Sequence, residues 1–474
     1  MTTGNDAITT IAIIGGGVSG TLTAFHLVRQ RTPARVILID QRPNFGLGLA
    51  YSTRSLRHLL NVPAGKISAL PDEPDHFLNW LRENHDPAAT EKTFAPRAVF
   101  GRYIQSLLAS TSPVEQEIAA VVDVREHDGG GAVLTFENGC ELRADLIVLA
   151  TGNFDPAPLA GISKAAIDSG LYRHNTWNAA TYEGLDPDAP VALIGTGLTG
   201  VDVVLRLREL GHHGRIISIS RHGIFPARHD EYVPLNTSAI PLDTPATCAA
   251  YLHALHSVIR GGAQWRAAFD SLRETTNELW LRLPIKEKER FRRHLQRRWD
   301  VARHRMAPPI ADVIESELRN DTLEIRRGHL VAVDVSGAGA SITVRAHGER
   351  EGLYADRVIN CTGPSLNYGR VPSTLLQNLF KRGLVTSGPL GIGLHCSQDG
   401  AVIGAGGDAS DIIFNLGPGR LGDLLESIAV PEIRQQAFEL ASTLADRIGS
   451  RDVSRQSKEA EVAIPELSGE LVAA

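Results

Sequence analysis

Two stretches of the chain carry the same signature. "TIAIIGGGVSGTLTAFHL" spans residues 10–27, and "VALIGTGLTGVDVVLRL" spans residues 191–207. In each, a short apolar run of the kind expected for a strand buried on both faces of a parallel sheet leads into G-x-G-x-x-G. The glycines are Gly15, Gly17 and Gly20 in the first and Gly195, Gly197 and Gly200 in the second. The first glycine of such a turn permits the bend, the second lets a pyrophosphate approach the backbone, and the third lets the helix pack on its strand. The helix N-terminus adds free N–H groups and a positive dipole end. Gly16, Thr196 and Thr199 lie inside the two turns and are placed with the glycines at the phosphates. The expected fold is α/β, with two doubly wound (Rossmann-like) dinucleotide-binding units.

The two turns differ at the end of the next strand. After the first, "RVILID" ends in Asp40, 20 residues past Gly20. A carboxylate there accepts from ribose hydroxyls, as FAD or NAD requires. After the second, "RIISIS" ends in Ser220 and Arg221, and no acid stands at the matching place. A carboxylate would repel a 2′-phosphate, whereas Arg221 offers it a charge-assisted partner and Ser220 a hydroxyl. The alternative is that Arg221 is a solvated strand end. The pair of motifs reads as FAD in the first unit and NADPH in the second, with hydride passing from one to the other.

At 474 residues the chain is too long for a single core. The expected order is an FAD-binding part (1–159), an NADPH-binding domain (160–355) containing a helical insertion (238–316), a second FAD-binding part (356–445) and a polar, loosely held tail (446–474). "DLIVLATGNFDPAP" at 145–158 and "DRVINCTGP" at 356–364 mark the two crossings. Between 286 and 305 there are nine Lys or Arg against three Asp or Glu. There Phe291, Leu295, Trp299, Ala302 and Met306 fit one helical face, with His294, Arg298 and Arg305 on another. That face is either a solvated side or a basic wall that attracts NADPH or an anionic substrate. A formal net charge of −6 argues against a nucleic-acid partner. No apolar run reaches membrane-spanning length and no leader is visible, so a cytoplasmic chain is expected. Cys140, Cys248, Cys361 and Cys396 form no CxxC, which fits neither a zinc site nor a redox dithiol.

The two glycine turns, the Ala-Thr-Gly crossing and the nested order resemble the two-dinucleotide-binding flavoproteins, and within them the class B flavin monooxygenases. More closely, the chain resembles a bacterial family of FAD/NAD(P)-binding proteins through "GLGLAYST", "HLLNVPAGKISALPDEPDHFLNWL", "FAPRAVFGRYI", "GTGLTGVDVV", "WDVARHRMAP" and "LGPGRLGDLLESIAVPEIRQQA". These stretches are spread over nearly the whole chain except the tail. The resemblance implies an NADPH-dependent flavin monooxygenase. In such an enzyme a flavin C4a-(hydro)peroxide, formed with molecular oxygen, passes one oxygen to a small nucleophilic substrate. By analogy with some relatives, that substrate is an amine or amino acid. An NAD(P)H-dependent flavin reductase and a non-catalytic flavin-binding sensor are the alternatives.

The resemblance also assigns residues. Val121, Thr151 and Gly152 join the FAD site. Asn61, in "HLLNVPAG", lies where similar flavoproteins line the flavin ring; it bonds the ring edge or its oxygen adduct, or else caps the turn at Pro63 and Gly65. Gly407-Asp408 resembles the Gly-Asp that bonds the flavin ribityl chain; alternatively "LGPGR" at 416–420 supplies backbone N–H groups near the flavin pyrimidine, with the following helix starting there. "DSGLYRHNTWN" stands where class B enzymes carry F-x-G-x-x-x-H-x-x-x-[WYF]. Asp168 replaces the Phe, and Trp177 follows His174 by three residues, not four. These departures weigh against Baeyer–Villiger chemistry and leave His174 and Trp177 a hinge-and-cofactor role, or that of a linker His and a core Trp.

Overall fold

The computed structural model describes residues 8–462 except residue 112, with side chains described as far as residue 450. β1 (Thr9–Ile14), β2 (Ala34–Asp40) and β3 (Val114–Ile118) run parallel. An antiparallel meander follows: β4 (Val121–Glu126), β5 (Ala132–Phe136) and β6 (Glu141–Ala144). β7 (Leu146–Leu149) then returns to lie beside β1.

The second unit repeats this plan. β8 (Tyr172–Arg173), β9 (Val191–Ile194), β10 (Ile216–Ser220) and β11 (Leu323–Arg327) precede the meander β12 (His329–Ser336), β13 (Gly339–Ala346) and β14 (Glu349–Ala355). β15 (Arg357–Asn360) closes the sheet in the order β11-β10-β9-β15-β8. The chain then returns to the first sheet with β16 (Ala401–Ile403) and β17 (Ala409–Asn415), giving β16-β17-β7-β1-β2-β3.

Both sheets are covered on both faces, as their apolar strands require. Ile11 and Ile13 enter one core with the helices Val18–Arg29 and Arg97–Ala109, while Ala12 and Ile14 enter another beneath β4–β6. This is the period-two alternation of a pleated strand.

Three expected boundaries move. β15 pairs in parallel with β9 and β8, so residues 357–360 belong to the second sheet and not to the returning FAD part. The helix Pro308–Arg319 packs Ile310, Ala311 and Ile314 into the core of the second sheet, so it is that unit's own crossover helix and not the end of the insertion. Residues 446–462 do not begin a loose tail: they continue the helix Val430–Val462, a stretch free of Pro after residue 431. Residues 463–474 lie outside the described residues.

The basic stretch also differs from a single amphipathic helix. It forms two helices, Ile285–His294 and Gln296–Arg303, broken at Leu295 (φ −113°, ψ −29°). Phe291 and Trp299 still meet edge to face, with centroids 6.1 Å apart. Met306 leaves that face for the second unit's core, and Arg305 is fully buried against Asp270.

Candidate functional site: two dinucleotide turns and a cavity between the units

The two glycine turns are built alike. A Cβ on Gly15 (φ +117°) would lie 2.2 Å from the Ala150 carbonyl oxygen, and one on Gly195 (φ +127°) 2.4 Å from that of Cys361. Each first glycine is thus wedged under the neighbouring strand end. The third glycines serve the helix: a Cβ on Gly20 would meet the Gly15 oxygen at 2.0 Å, and one on Gly200 the Gly195 oxygen at 2.8 Å. The middle glycines face space. Gly17 meets only Gly48, at 3.4 Å, and Gly197 meets nothing within 4 Å. Neither following helix has a side-chain cap, so its first N–H groups are left for an anion.

Around the first turn, the Asp40 carboxylate accepts from the Gly16 and Arg42 amides, both at 2.9 Å. It therefore sits against the phosphate turn at the end of β2. Asp40 pairs with Ile118 in the neighbouring strand, and Val121 begins β4 three residues on. Thr151 follows β7, and its buried hydroxyl has no hydrogen-bond partner among the described residues. The Gly152 carbonyl accepts from Tyr368 at 2.6 Å. An uncapped helix, an open middle glycine and an unpartnered hydroxyl fit a bound dinucleotide.

Gly407 and Asp408 do not belong to this cluster. They form an exposed turn entering β17. β17 runs parallel to β7 with Asn415 opposite Leu149, so its first residues lie at the end of the sheet remote from Gly15. The stretch 416–420 follows the correct end: Leu416 N–H donates to the Leu149 carbonyl, and a Cβ on Gly417 would meet Ser19 Oγ at 2.6 Å. A Gly-Asp pair read from sequence carries no information about which end of a strand it occupies.

At the second turn Thr196 Oγ1 lies 2.9 Å from Ser220 Oγ and donates to the Ile224 carbonyl at 2.7 Å. Arg297, from the insertion, donates to both the carbonyl and the hydroxyl oxygen of Thr196 at 3.1 Å. Arg221 is exposed and makes no ion pair among the described residues. Burial, and then the charges of Arg221, Arg297 and Arg327, hold His222 below the ordinary imidazole range. This end of the site is therefore a cluster of positive charge, suited to a phosphate.

One cavity of about 770 Å³ joins the two units. Gly195–Thr199, Ser220 and Arg221 line it on one side, and Asn61, Val62 and Ile428–Val430 on the other. Asn61 is thus brought to the second turn across the domain seam. His229 holds it there: its Nε2–H donates to the Asn61 carbonyl at 2.9 Å. Burial lowers the His229 pKa to about 4, so the ring is the neutral donor near pH 7.

Among the wall residues that sequence reading missed are Arg97, Asp300 and His304. Arg97 makes a two-pronged bond to buried Asp202 (2.7 and 3.1 Å), tying the helix after Pro96 to the helix of the second turn. The only hint in sequence was that Asp202 falls on an otherwise apolar helix face. Asp300 and His304 come from the stretch read as a basic face.

His174 and Trp177 do not line this cavity. His174 Nδ1 lies 3.5 Å from the Tyr172 hydroxyl, and Trp177 packs edge-on to His58, 6.2 Å between centroids. His58 in turn bonds the Asp202 carbonyl, so Trp177 stands at the domain seam, behind the Arg97–Asp202 pair.

Residues 12–154 match the family model described as FAD-NAD(P)-binding. Among curated proteins, the chain is 23% identical to the uncharacterised protein YdhS of Escherichia coli K12 over 245 residues, which is 45% of this chain. It is 27% identical to a Baeyer-Villiger monooxygenase of Streptomyces coelicolor over 211 residues, 42% of this chain. The matches span 42% and 32% of those two proteins' lengths. Among solved structures, the ornithine N-hydroxylase of Kutzneria sp. 744, with reduced FAD, NADP+ and L-ornithine, superposes with a TM-score of 0.63 at 15% identity, over 92% of this chain and 99% of that one. No helix among the described residues is long and apolar enough to cross a membrane. The chain thus carries, at residues 12–154, a domain matching the FAD-NAD(P)-binding family model, and it shares its fold with the ornithine N-hydroxylase structure.

Proposed function

We propose that this protein is an NADPH-dependent flavin monooxygenase that adds one oxygen atom to a small nucleophilic substrate, an amine or amino acid. The observation that carries the reading is the single cavity in which Asn61, Val62 and Ile428–Val430 face the second dinucleotide turn. FAD, when bound and reduced, supplies the activation of dioxygen; the residues supply position and dryness. Arg221 and the Arg297-braced Thr196 turn anchor the 2′-phosphate end of NADP(H), so that the oxidised cofactor stays in place after hydride transfer. Leu60, Val62, Ile67, Ile428 and Val430 give the flavin end apolar walls, which limit water around a reactive oxygen species. Asn61 puts one polar amide among them.

The thiols support an oxygen acceptor over a disulfide. All four cysteines are free. Burial pushes Cys396 up to about 12 and holds Cys361 higher still, so neither is a nucleophile at neutral pH. The test is the balance of electrons. FAD-loaded protein is given NADPH and a panel of amines and amino acids, with NADPH loss, hydrogen peroxide and oxygenated product all measured. Product accumulating in proportion to NADPH with one substrate class supports the proposal. NADPH oxidation that delivers its electrons only to peroxide or to added quinones, with every substrate, refutes it in favour of a reductase.

A further inference from the structure

The helical insertion holds a second cavity, of about 220 Å³, separate from the cofactor cavity. Its walls are apolar, among them Leu255, Leu272, Leu279, Trp280, Phe291 and Trp299. The polar atoms on those walls are already committed elsewhere. Trp280 Nε1–H donates to the Gly422 carbonyl and Trp299 Nε1–H to Glu426. The Tyr251 hydroxyl donates to the Leu279 carbonyl, the Thr276 hydroxyl to that of Leu272, and the Cys248 thiol to that of Glu287. What remains facing inward is hydrocarbon and ring.

Protein interiors keep few voids larger than a water molecule. A dry apolar cavity of about 150 Å³ takes a benzene ring. This one is larger, with room for a ring and a short chain. Its rim carries two exposed polar side chains, His256 and Arg298, and Arg298 makes no ion pair among the described residues. The helix Gln296–Arg303 is the wall shared by both cavities. Arg298 and Trp299 line the apolar cavity, while Arg297 and Asp300 line the larger one between the units.

We infer that the insertion is a binding site for a small amphipathic carboxylate, with its ring or alkyl body among Leu255, Trp280 and Trp299 and its acid group at Arg298. This inference does not rest on the monooxygenase reading. The test uses the full FAD-loaded chain with saturating NADP+, so that the cofactor cavity is filled. The probe is 3-phenylpropanoate, followed by tryptophan fluorescence and calorimetry, with 3-phenylpropan-1-ol as the uncharged control.

Saturable binding of the acid is expected. Arg298→Glu weakens it roughly three- to thirtyfold, since the residue is exposed and its charge screened, and moves the alcohol less than twofold. Leu255→Trp, which fills the cavity, removes binding of both while FAD content is retained. Three results would overturn the site: no saturable binding at millimolar acid, equal weakening of acid and alcohol by Arg298→Glu, or binding unaffected by a folded Leu255→Trp protein.

Discussion

On the proposed reading Arg221 sets the choice between NADPH and NADH, and its contribution follows from its surroundings. It is exposed, so a hydrogen bond to a phosphate, worth about 1.5–3 kcal/mol in a good site, is discounted here to about 1–2 kcal/mol. That is a five- to thirtyfold preference lost in Arg221→Ala. Arg221→Glu adds repulsion of the phosphate, about 0.5–1 kcal/mol at a solvated surface. Arg297 and Arg327 remain close enough to depress His222, so positive charge persists and the reversal is modest. The expected sum is about 1.5–3 kcal/mol, a roughly ten- to hundredfold swing in the NADPH to NADH ratio. The assay is anaerobic stopped-flow reduction of the bound flavin at limiting cofactor, with each nucleotide in turn. Raised salt should shrink the wild-type preference, because the contact is exposed. A wild-type protein that uses both cofactors equally, or an unchanged ratio in Arg221→Ala, would refute the assignment of the second turn.

Gly17→Val should fold normally, since Gly17 has an extended φ of −76° and only Gly48 nearby, yet lose FAD because its side chain fills the phosphate path; thermal unfolding and flavin absorbance after reconstitution check both halves. Gly15→Ala should instead destabilise the protein by at least about 2 kcal/mol, as its Cβ would strike the Ala150 carbonyl at a positive φ. Acid should destabilise the fold between about pH 6.5 and pH 4. Burial, with neighbouring arginines, depresses His26 and His229 to about 4, so the unfolded chain binds the protons first and stability falls as pH drops. His26→Phe, which keeps the edge contacts to Phe25 and Phe438, should remove up to about 3 kcal/mol of that acid sensitivity, read from urea midpoints at two pH values. Asn61→Ala should keep FAD and divert NADPH oxidation to hydrogen peroxide; unchanged coupling with the preferred substrate would remove Asn61 from the site.

What was legible in the sequence is what is local. Each glycine turn, its strand and its helix lie within about 18 consecutive residues, and the wedge at Gly15 or Gly195 needs only a neighbouring strand end, which the Ala-Thr-Gly and Cys-Thr-Gly crossings supply. Asp40 and Arg221 could be proposed from sequence because one β-α-β unit fixes their distance from the turn. The residues that were missed or misplaced depend on tertiary geometry. Arg297 reaches Thr196 across about 100 positions, and Arg97 reaches Asp202 across 105. Periodicity could assign Arg297 to a basic face but not say what that face meets. Gly407-Asp408 has the right residues at the wrong end of β17, since composition is blind to strand direction. His229 shows the functional weight of such contacts. It lies in the second unit, yet its ring fixes the loop that carries Asn61 in the first. The cavity is therefore assembled from both units at once. Arg97–Asp202 and His229–Asn61 form the seam across which its two walls face each other. Leaving Asp202 buried and unpaired in Arg97→Ala should thus slow hydride transfer as well as lower stability, whereas loss of either effect alone would separate the seam from the site.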